Sequence, residues 1–366
     1  MSIRIMTLDD GSDRLIEGIH TLRRQVYAGD SHYCPPFEGA LQRELVRSKY
    51  SQHQRIFGDW EGDSLQAVAV ARLSEDLSLD DQSVATIGHF EALNDPERVT
   101  DLLARAADWC HEQGADVVIG PMNGDTWHSY RFSIGPREER PFYLEPYNPD
   151  YYPQLWEAAG FEVLATYHSR RIDDLKGAAR EFAPRWHSVR EEGYRFEPII
   201  AEDLDRALDR IYDLVCVGFA ANFLYTPISR EDFKAKYDGV ELLLEKDLSF
   251  FVLDEDGSEA GFAFVFPDYA PAIAAMKGKK HLLAKLKFLM KRRRVHANIK
   301  TFAILPEHRG RGLASAMAHR YYKAIADAGY EAANICLIHD DNVGSAKMDG
   351  QRGRVLRNYA LYAYQG

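Results

Sequence analysis

The residues best suited to hold a ligand are Arg309, Gly310, Arg311 and Gly312, set between the apolar run Thr301-Phe302-Ala303-Ile304-Leu305 and a helical stripe through Met317, Tyr321, Ala324, Ile325 and Ala328. A helix starts with several N–H groups that have no partner inside it, and its dipole puts partial positive charge at the same end. Glycines at 310 and 312 leave those amides uncovered, and the two arginines add full charge beside them. The pattern predicts a cradle that holds a diphosphate mostly by main chain. Pro306 stops the strand that feeds the turn, and Gly329 closes the helix that leaves it.

Composition narrows the chemistry further. The chain has 366 residues and a formal net charge of −11, which argues against general nucleic-acid binding, since that needs an excess of positive charge facing the phosphates. Hydrophobic residues make up 46%, enough for a packed core. No apolar run is long enough to span a bilayer and the start of the sequence has no signal-peptide pattern, so a soluble, cytoplasmic protein is expected. Cys34, Cys110, Cys216 and Cys336 stand far apart, and the histidines form no H-x-x-x-H or H-E-x-x-H set. Neither a disulfide framework nor a metal site is predicted.

The elements that must carry the cradle occur twice. Ile3–Met6 alternates as a strand, a helix follows through Leu15, Ile19, Leu22 and Val26, and strands are expected around 55–58, 65–72 and 87–90. A helix then starts at Asn94-Asp95-Pro96, a buried strand covers 117–121, and after a short helix a last strand covers 165–172. The second half repeats this order: strand 194–200, a helix through Leu204 and Leu208, strands 250–253, 261–266 and 298–305, the cradle helix, strand 333–338, a short helix and strand 358–364. The reading is a tandem duplication of an α/β unit, with domains at 1–174 and 193–366 and a linker at 175–192. Where the second copy has its glycine turn, the first has Leu93-Asn94-Asp95-Pro96-Glu97-Arg98. Its proline removes a donor and its two carboxylates repel a diphosphate, so the first copy is expected to have lost the cradle.

The run Arg309-Gly310-Arg311-Gly312-Leu313-Ala314 resembles the Arg/Gln-x-x-Gly-x-Gly/Ala acetyl-coenzyme A signature of the GNAT acyltransferases. Ile304, Leu305 and Pro306 precede it as in that family, and Asn342 with Ser345 follows the next strand where the family often has Asn-x-x-Ala or Asn-x-x-Ser. The resemblance implies a tandem duplicated GNAT fold, each copy a mixed central β-sheet flanked by helices. It also implies an N-acyltransferase that moves an acetyl group from acetyl-CoA to a primary amine on a small molecule or peptide. The cofactor would lie on Ile304, Leu305, Arg309, Gly310, Arg311, Gly312, Leu313 and Ala314, flanked by Asn342 and Ser345. Direct attack by an amine needs a base, main-chain donors for the thioester carbonyl and, at most, an acid for the thiolate. The glutamate that many relatives carry in the strand before the turn is replaced by Lys300 and Thr301, and the tyrosine that usually follows the asparagine motif is replaced by Asp349. His296 is the candidate base, and Tyr359 or Tyr362 the candidate acid.

Two alternatives stay open. One is a non-catalytic coenzyme-binding or scaffolding protein that kept the cradle, and the other an aminoacyl transferase of the two-copy type using charged transfer RNA. The aromatic, proline-rich stretch from Gly120 through Tyr152 suits one wall of an acceptor pocket between the copies, with Asn222 to Tyr225 also against the acceptor. Lys277 to Arg294 carries nine lysines and arginines and no acidic residue, with Leu282, Leu286, Leu289 and Met290 on one helical face. Such a helix can lie on an anionic membrane or draw in acidic ligands. The expectation taken here is the plainer one, an inserted surface helix whose leucines pack on the body and whose lysines are solvated.

Overall fold

Apolar runs of period two and period 3.6 alternate along the chain, and the elements follow them. The computed structural model describes residues 3–6, 12–46, 50–200, 203–240, 243–342 and 352–366. The first half runs β1 (Ile3–Met6), α1 (Ser12–Val26), α2 (Ala40–Val46), β2 (Gln54–Glu61), β3 (Ser64–Leu79), β4 (Gln82–Ala92), α3 (Pro96–Glu112), β5 (Val117–Gly120), β6 (Phe132–Ser133), α4 (Tyr151–Ala158) and β7 (Glu162–Ile172). The second runs α5 (Leu175–Glu191), β8 (Arg195–Pro198), α6 (Leu204–Gly218), α7 (Arg230–Lys236), β9 (Phe250–Leu253), β10 (Glu259–Pro267), α8 (Ala270–Ala274), α9 (Leu282–Lys291), β11 (His296–Ile304), α10 (Leu313–Asp327), β12 (Ala332–His339) and β13 (Arg354–Tyr364). The short helix expected after β12 lies outside the described residues.

All the strands form one mixed sheet, ordered β1-β2-β3-β4-β5-β13-β7-β12-β11-β10-β9-β8, with β6 paired to β13 off this path. Read from either edge, the order is the same five strands followed by the last strand of the other half. β13 lies antiparallel between β5 and β7, and β7 lies antiparallel to β12. Each half is thus completed by its partner's final strand, and the sheet runs unbroken across positions 174 and 193.

Both faces are covered, as the near-continuous burial of β4 and β10 requires. In the second half, Ile299, Val252 and Val265 pack with Met317, Tyr321 and Ile325 of α10 on one face. On the other face Phe262, Phe264 and Ala303 pack with Leu208, Ile211 and Val215 of α6 and Phe233 of α7. The first half repeats the arrangement, with α3 and α4 on one face and α1 and α2 on the other. Each such aliphatic or aromatic side chain stabilises the fold by about 1.5–3 kcal/mol.

Two expectations are corrected here. The stretch 175–192 is not merely a connector: Asp174 caps α5 by accepting from the Gly177 N–H at 2.8 Å, and Ala178, Phe182 and Val189 are buried against α10. The leucines of α9 do not pack on the body. Leu282 is 81% exposed, Leu283 65%, Leu286 49%, Leu289 52% and Met290 66%, while Ala284 and Phe288 make the inward contact. No described helix is long and apolar enough to cross a membrane.

Candidate functional site

The glycine turn has the backbone that the spacing predicts. After β11, Pro306–His308 makes one short 3-10 turn, and then Gly310 and Gly312 take φ of +78° and +82°, in the left-handed region that a Cβ disfavours. Gly312 is the N-cap of α10 and supplies no side-chain cap. The helical bonds begin with Ala316 N–H donating to Gly312 O at 3.1 Å, which leaves the amides before it without a partner in the helix and open to a ligand. An open groove of about 590 Å³ lies over them, lined by Arg185, Glu192, Gly310, Arg311, Gly312 and Ser315.

The charges differ from the expected set. Arg309 turns back on the protein, donating to Ile304 O and Gly218 O at 3.1 Å each, and so ties the turn to the ends of β11 and α6. Arg311 is exposed and makes no ion pair among the described residues. Its companion is Arg185 of α5, whose Cδ would stand 3.3 Å from a Cβ placed on Gly312. Arg185 was invisible to spacing arguments because it lies some 125 positions earlier, on a segment read as a linker.

Behind the turn the sheet opens. β11 and β12 pair in parallel only from His296↔Ala332 to Ile299↔Ile335, although β11 continues to Ile304 and β12 to His339. On its other edge β11 stays paired with β10 as far as Gly261↔Ile304. The backbone from Lys300 to Ile304 therefore faces a gap that runs about five residues, ~17 Å, up to the glycine turn. Lys300 is the extra residue of a bulge, since Thr301 pairs with Phe264 and Ile299 with Val265. On the far side of the gap, β12 breaks register against β7 between Ile335 and Ile338, with Leu337 at φ +61°.

The first half shows the same place closed. Beyond Thr86↔Ile119, Met122 N–H donates to Ile87 O at 2.8 Å and the Asn123 side chain accepts from His89 N–H at 2.7 Å, so the chain bridges the gap. At the helix start Asp95 accepts from Arg98 N–H, and the Arg98 guanidinium holds Asp59, Glu61 and Asp95.

A buried polar cluster stands where β11 and β12 part. Lys300 is half-buried, with its ammonium 5.8 Å from the Phe142 ring, and makes no ion pair among the described residues. Burial lowers its pKa, with Arg131 acting in the same direction and Cys336 and Glu145 opposing. Glu145 accepts from Arg357 Nε at 2.6 Å, from the Tyr359 hydroxyl and from Phe142 N–H at 2.8 Å. Burial raises the Glu145 carboxyl, and Arg357 and these hydrogen bonds pull it back. Ser169 Oγ stands 3.0 Å from the Tyr359 hydroxyl and accepts from Leu337 N–H, joining the cluster to the irregular part of β12. The aromatic stretch of the first half reaches this region through Phe142 and packs on the second half beyond it. Tyr143 N–H donates to Asp268, and Trp127 donates to Thr226 O at 2.8 Å while its ring meets Tyr225 and Phe233.

The acetyltransferase (GNAT) family model matches residues 208–348, which include the parted strands and the glycine turn. The C-terminal half thus carries a GNAT-family match, and the mixed sheet flanked by helices is a GNAT fold. Among solved GNAT structures, the GCN5-related glucosamine N-acetyltransferase region of a fungal multi-domain β-N-acetylglucosaminidase aligns with 99% of this chain at 14% identity and a TM-score of 0.55; this chain spans 38% of that one. A tandem GNAT protein from the clavulanic acid biosynthesis pathway aligns over 100% of this chain and 98% of its own, at 10% identity and a TM-score of 0.51. A GCN5-related N-acetyltransferase from Kribbella flavida aligns over 100% of this chain and 72% of its own, at 10% identity and a TM-score of 0.52. At these identities the likeness is one of fold. No curated protein matches the chain in sequence.

Within this GNAT fold the residues singled out by sequence divide into two groups. Ile304, Leu305, Arg309, Gly310, Arg311, Gly312, Leu313 and Ala314 lie together along the end of β11, the turn and the start of α10. Asn342 follows β12, its N–H bonded to His339 O at 2.9 Å; Ser345 and Asp349 lie outside the described residues. The candidate acid and base stand off the gap. His296 opens β11 three residues, about 10 Å, before the strands part, its pKa lowered by burial and by Arg171. Tyr359 is fully buried on β13, two strand spacings from β12, and is linked to the irregular part of β12 through Ser169. Tyr362 bonds Glu157 in the core of the first half. The exchange of final strands is the physical reason: it carries both tyrosines away from the strand that their half places beside the gap. Among the described residues, no group of three or more His, Cys, Asp and Glu side chains could hold a metal ion.

Proposed function

We propose that this chain is an N-acetyltransferase that takes acetyl-CoA in its C-terminal half and transfers the acetyl group to a primary amine admitted between the halves. The observation that carries the reading is the gap between β11 and β12, which leads from the Lys300 bulge directly to the uncapped amides at Gly312. The residues fit the cosubstrate: uncovered N–H groups with Arg185 and Arg311 for the diphosphate, and an unpaired strand edge for an amide-bearing arm. Bound there, acetyl-CoA would supply an acyl group activated as a thioester.

Main-chain donors at the bulge are the groups available to polarise a carbonyl. Lys300 takes the base role in place of His296. Its lowered pKa raises the share of neutral amine at a given pH, and a neutral amine can accept a proton from an incoming ammonium. No strong acid is needed for a departing thiolate, since a thiol titrates near about 8.5. Tyr359 and Glu145 position the wall around Lys300 rather than act on the acyl group. Phe142, Tyr143 and Trp127 exclude water from the acceptor side.

The test is thiol release from acetyl-CoA across a panel of small-molecule and peptide amines. Lys300→Met is expected to lower kcat/KM by roughly 100-fold with coenzyme affinity unchanged. Equal turnover by the variant would remove Lys300 from the role. The distance of His296 and Tyr359 from the gap favours a second reading, a coenzyme-binding protein without transferase activity. Tight binding with no turnover on any amine would establish that one instead.

A further inference from the structure

We propose that α9 docks the protein on the surface of an anionic phospholipid bilayer. This goes beyond the transferase reading and stands independently of it. Scattered exposed leucines are ordinary on a protein surface, but a contiguous exposed apolar patch is not. Leu282, Leu283, Leu286, Leu289 and Met290 are all 49–81% exposed and belong to one ten-residue helix. At 100° per residue they occupy an arc of roughly 120°. Ala284 and Phe288 fall on the opposite side of the helix, where both are buried and Phe288 meets the Tyr269 ring at 5.6 Å. The apolar arc therefore points away from the protein.

Cations border that arc on both sides. Helical spacing puts Lys285 and Arg292 along one flank and Lys287 and Lys291 along the other, with Lys279, Lys280 and Arg293 at the ends. The segment 277–294 has nine lysines and arginines and no acidic residue, in a chain whose net charge is −11. Of these nine, only Arg294 is held in an ion pair among the described residues, with Glu245 at 3.1 Å. The insert is also fixed at its base: Gly278 O accepts from Glu38 N–H at 2.8 Å, and a Cβ on Gly278 would stand 2.5 Å from Pro36 O. The helix is presented in a fixed pose, with an apolar ridge between two cationic borders.

Charge complementarity selects the occupant. A second copy of the same face would bring two sets of nine cations together, and a neutral apolar partner would leave them unused. An anionic headgroup layer satisfies both parts at once, leucines entering the acyl boundary and cations meeting the phosphates.

Sucrose-loaded vesicles test this with the full chain: phosphatidylcholine alone, and phosphatidylcholine with one third phosphatidylglycerol, at physiological ionic strength. The protein is expected to sediment with the anionic vesicles and not the neutral ones. Changing Lys285→Gln, Lys287→Gln and Lys291→Gln together is expected to weaken partitioning roughly 100-fold, from about tenfold for each 1.4 kcal/mol and about 1 kcal/mol per cation. Changing Leu282→Ser, Leu286→Ser and Leu289→Ser together is expected to weaken it by at least about tenfold. All six side chains project from the exposed part of α9, and unchanged thermal melting would show that both variants fold. Equal partitioning onto both vesicle types, or none, overturns the proposal. So does a dimer in sedimentation velocity that the leucine variant converts to monomer, because a second copy would then cover the face.

Discussion

Glu145 joins the two halves through a buried ion pair with Arg357, and removing its charge gives a demanding test of the structure. Its side chain is 0% exposed and that of Arg357 is 1%. Glu145→Gln keeps the shape and strands the guanidinium without a counter-charge. Breaking a buried ion pair from one side costs about 3–5 kcal/mol. Arg357 retains its bonds to the carbonyls of Pro136 and Glu139, which puts the expectation at the low end, about 3 kcal/mol. Arg357→Met strands the carboxylate instead. There Tyr359 and Phe142 N–H still donate to it, and burial already favours its protonated form, so the cost is expected to be smaller, about 2–3 kcal/mol. Changing both residues leaves no unpaired charge, and the double variant is expected to lose about 2 kcal/mol less than the two singles combined. Urea unfolding followed by intrinsic fluorescence measures all four proteins, with similar slopes against urea as the check that the cycle is valid. Single losses below about 1 kcal/mol, or additivity within about 0.5 kcal/mol, would refute the buried pair as the joint between the halves.

The remaining predictions concern the two copies separately. If Lys300 is the base, kcat/KM rises with pH as the amine loses its proton, with a midpoint below the ordinary lysine value of about 10.4, because burial lowers its pKa. The same shift has a stability sign. Between the folded and unfolded pKa values the unfolded chain binds more protons, so stability increases as pH rises through that window, and Lys300→Met removes both effects. A rate limb at the ordinary lysine pKa, or one unchanged in the variant, would contradict the assignment. In the first half, a Cβ on Gly88 would stand 2.3 Å from Met122 O and 2.4 Å from Asn123 Oδ1, both in the segment that closes the gap. Gly88→Ala is expected to cost about 1–3 kcal/mol in urea unfolding while the folded protein binds acetyl-CoA unchanged. A change in that affinity would mean that the first copy takes part in coenzyme binding.

Much of this was legible in the residues. The glycine turn could be found because few local structures need two Cβ-free positions and a helix start directly after an apolar strand, and the duplicated order of strands and helices followed from periodicity alone. Partner choice was not legible. The two final strands carry equivalent patterns, so alternation along β7 and β13 cannot say which sheet edge each one joins, and that choice sets Tyr359 and Tyr362 away from the gap. Nor does an amphipathic pattern say which side faces inward. In α9 the two small inward contacts, Ala284 and Phe288, override the larger apolar arc. The bond from Arg309 to Gly218 and the contribution of Arg185 depend on contacts across more than ninety positions of chain, beyond the reach of local spacing.

The central claim is one open coenzyme site in the C-terminal half and none in the other. Isothermal titration of acetyl-CoA into the full chain tests it, beside a variant carrying Gly310→Ala and Gly312→Ala. Both glycines have positive φ, so alanine costs about 1–2 kcal/mol at each, and intrinsic fluorescence should confirm that the variant is folded. The account predicts binding at one site per chain, weakened at least about tenfold in the variant as the amides are covered. No binding by the unaltered chain, two sites per chain, or equal affinity in the variant would contradict it.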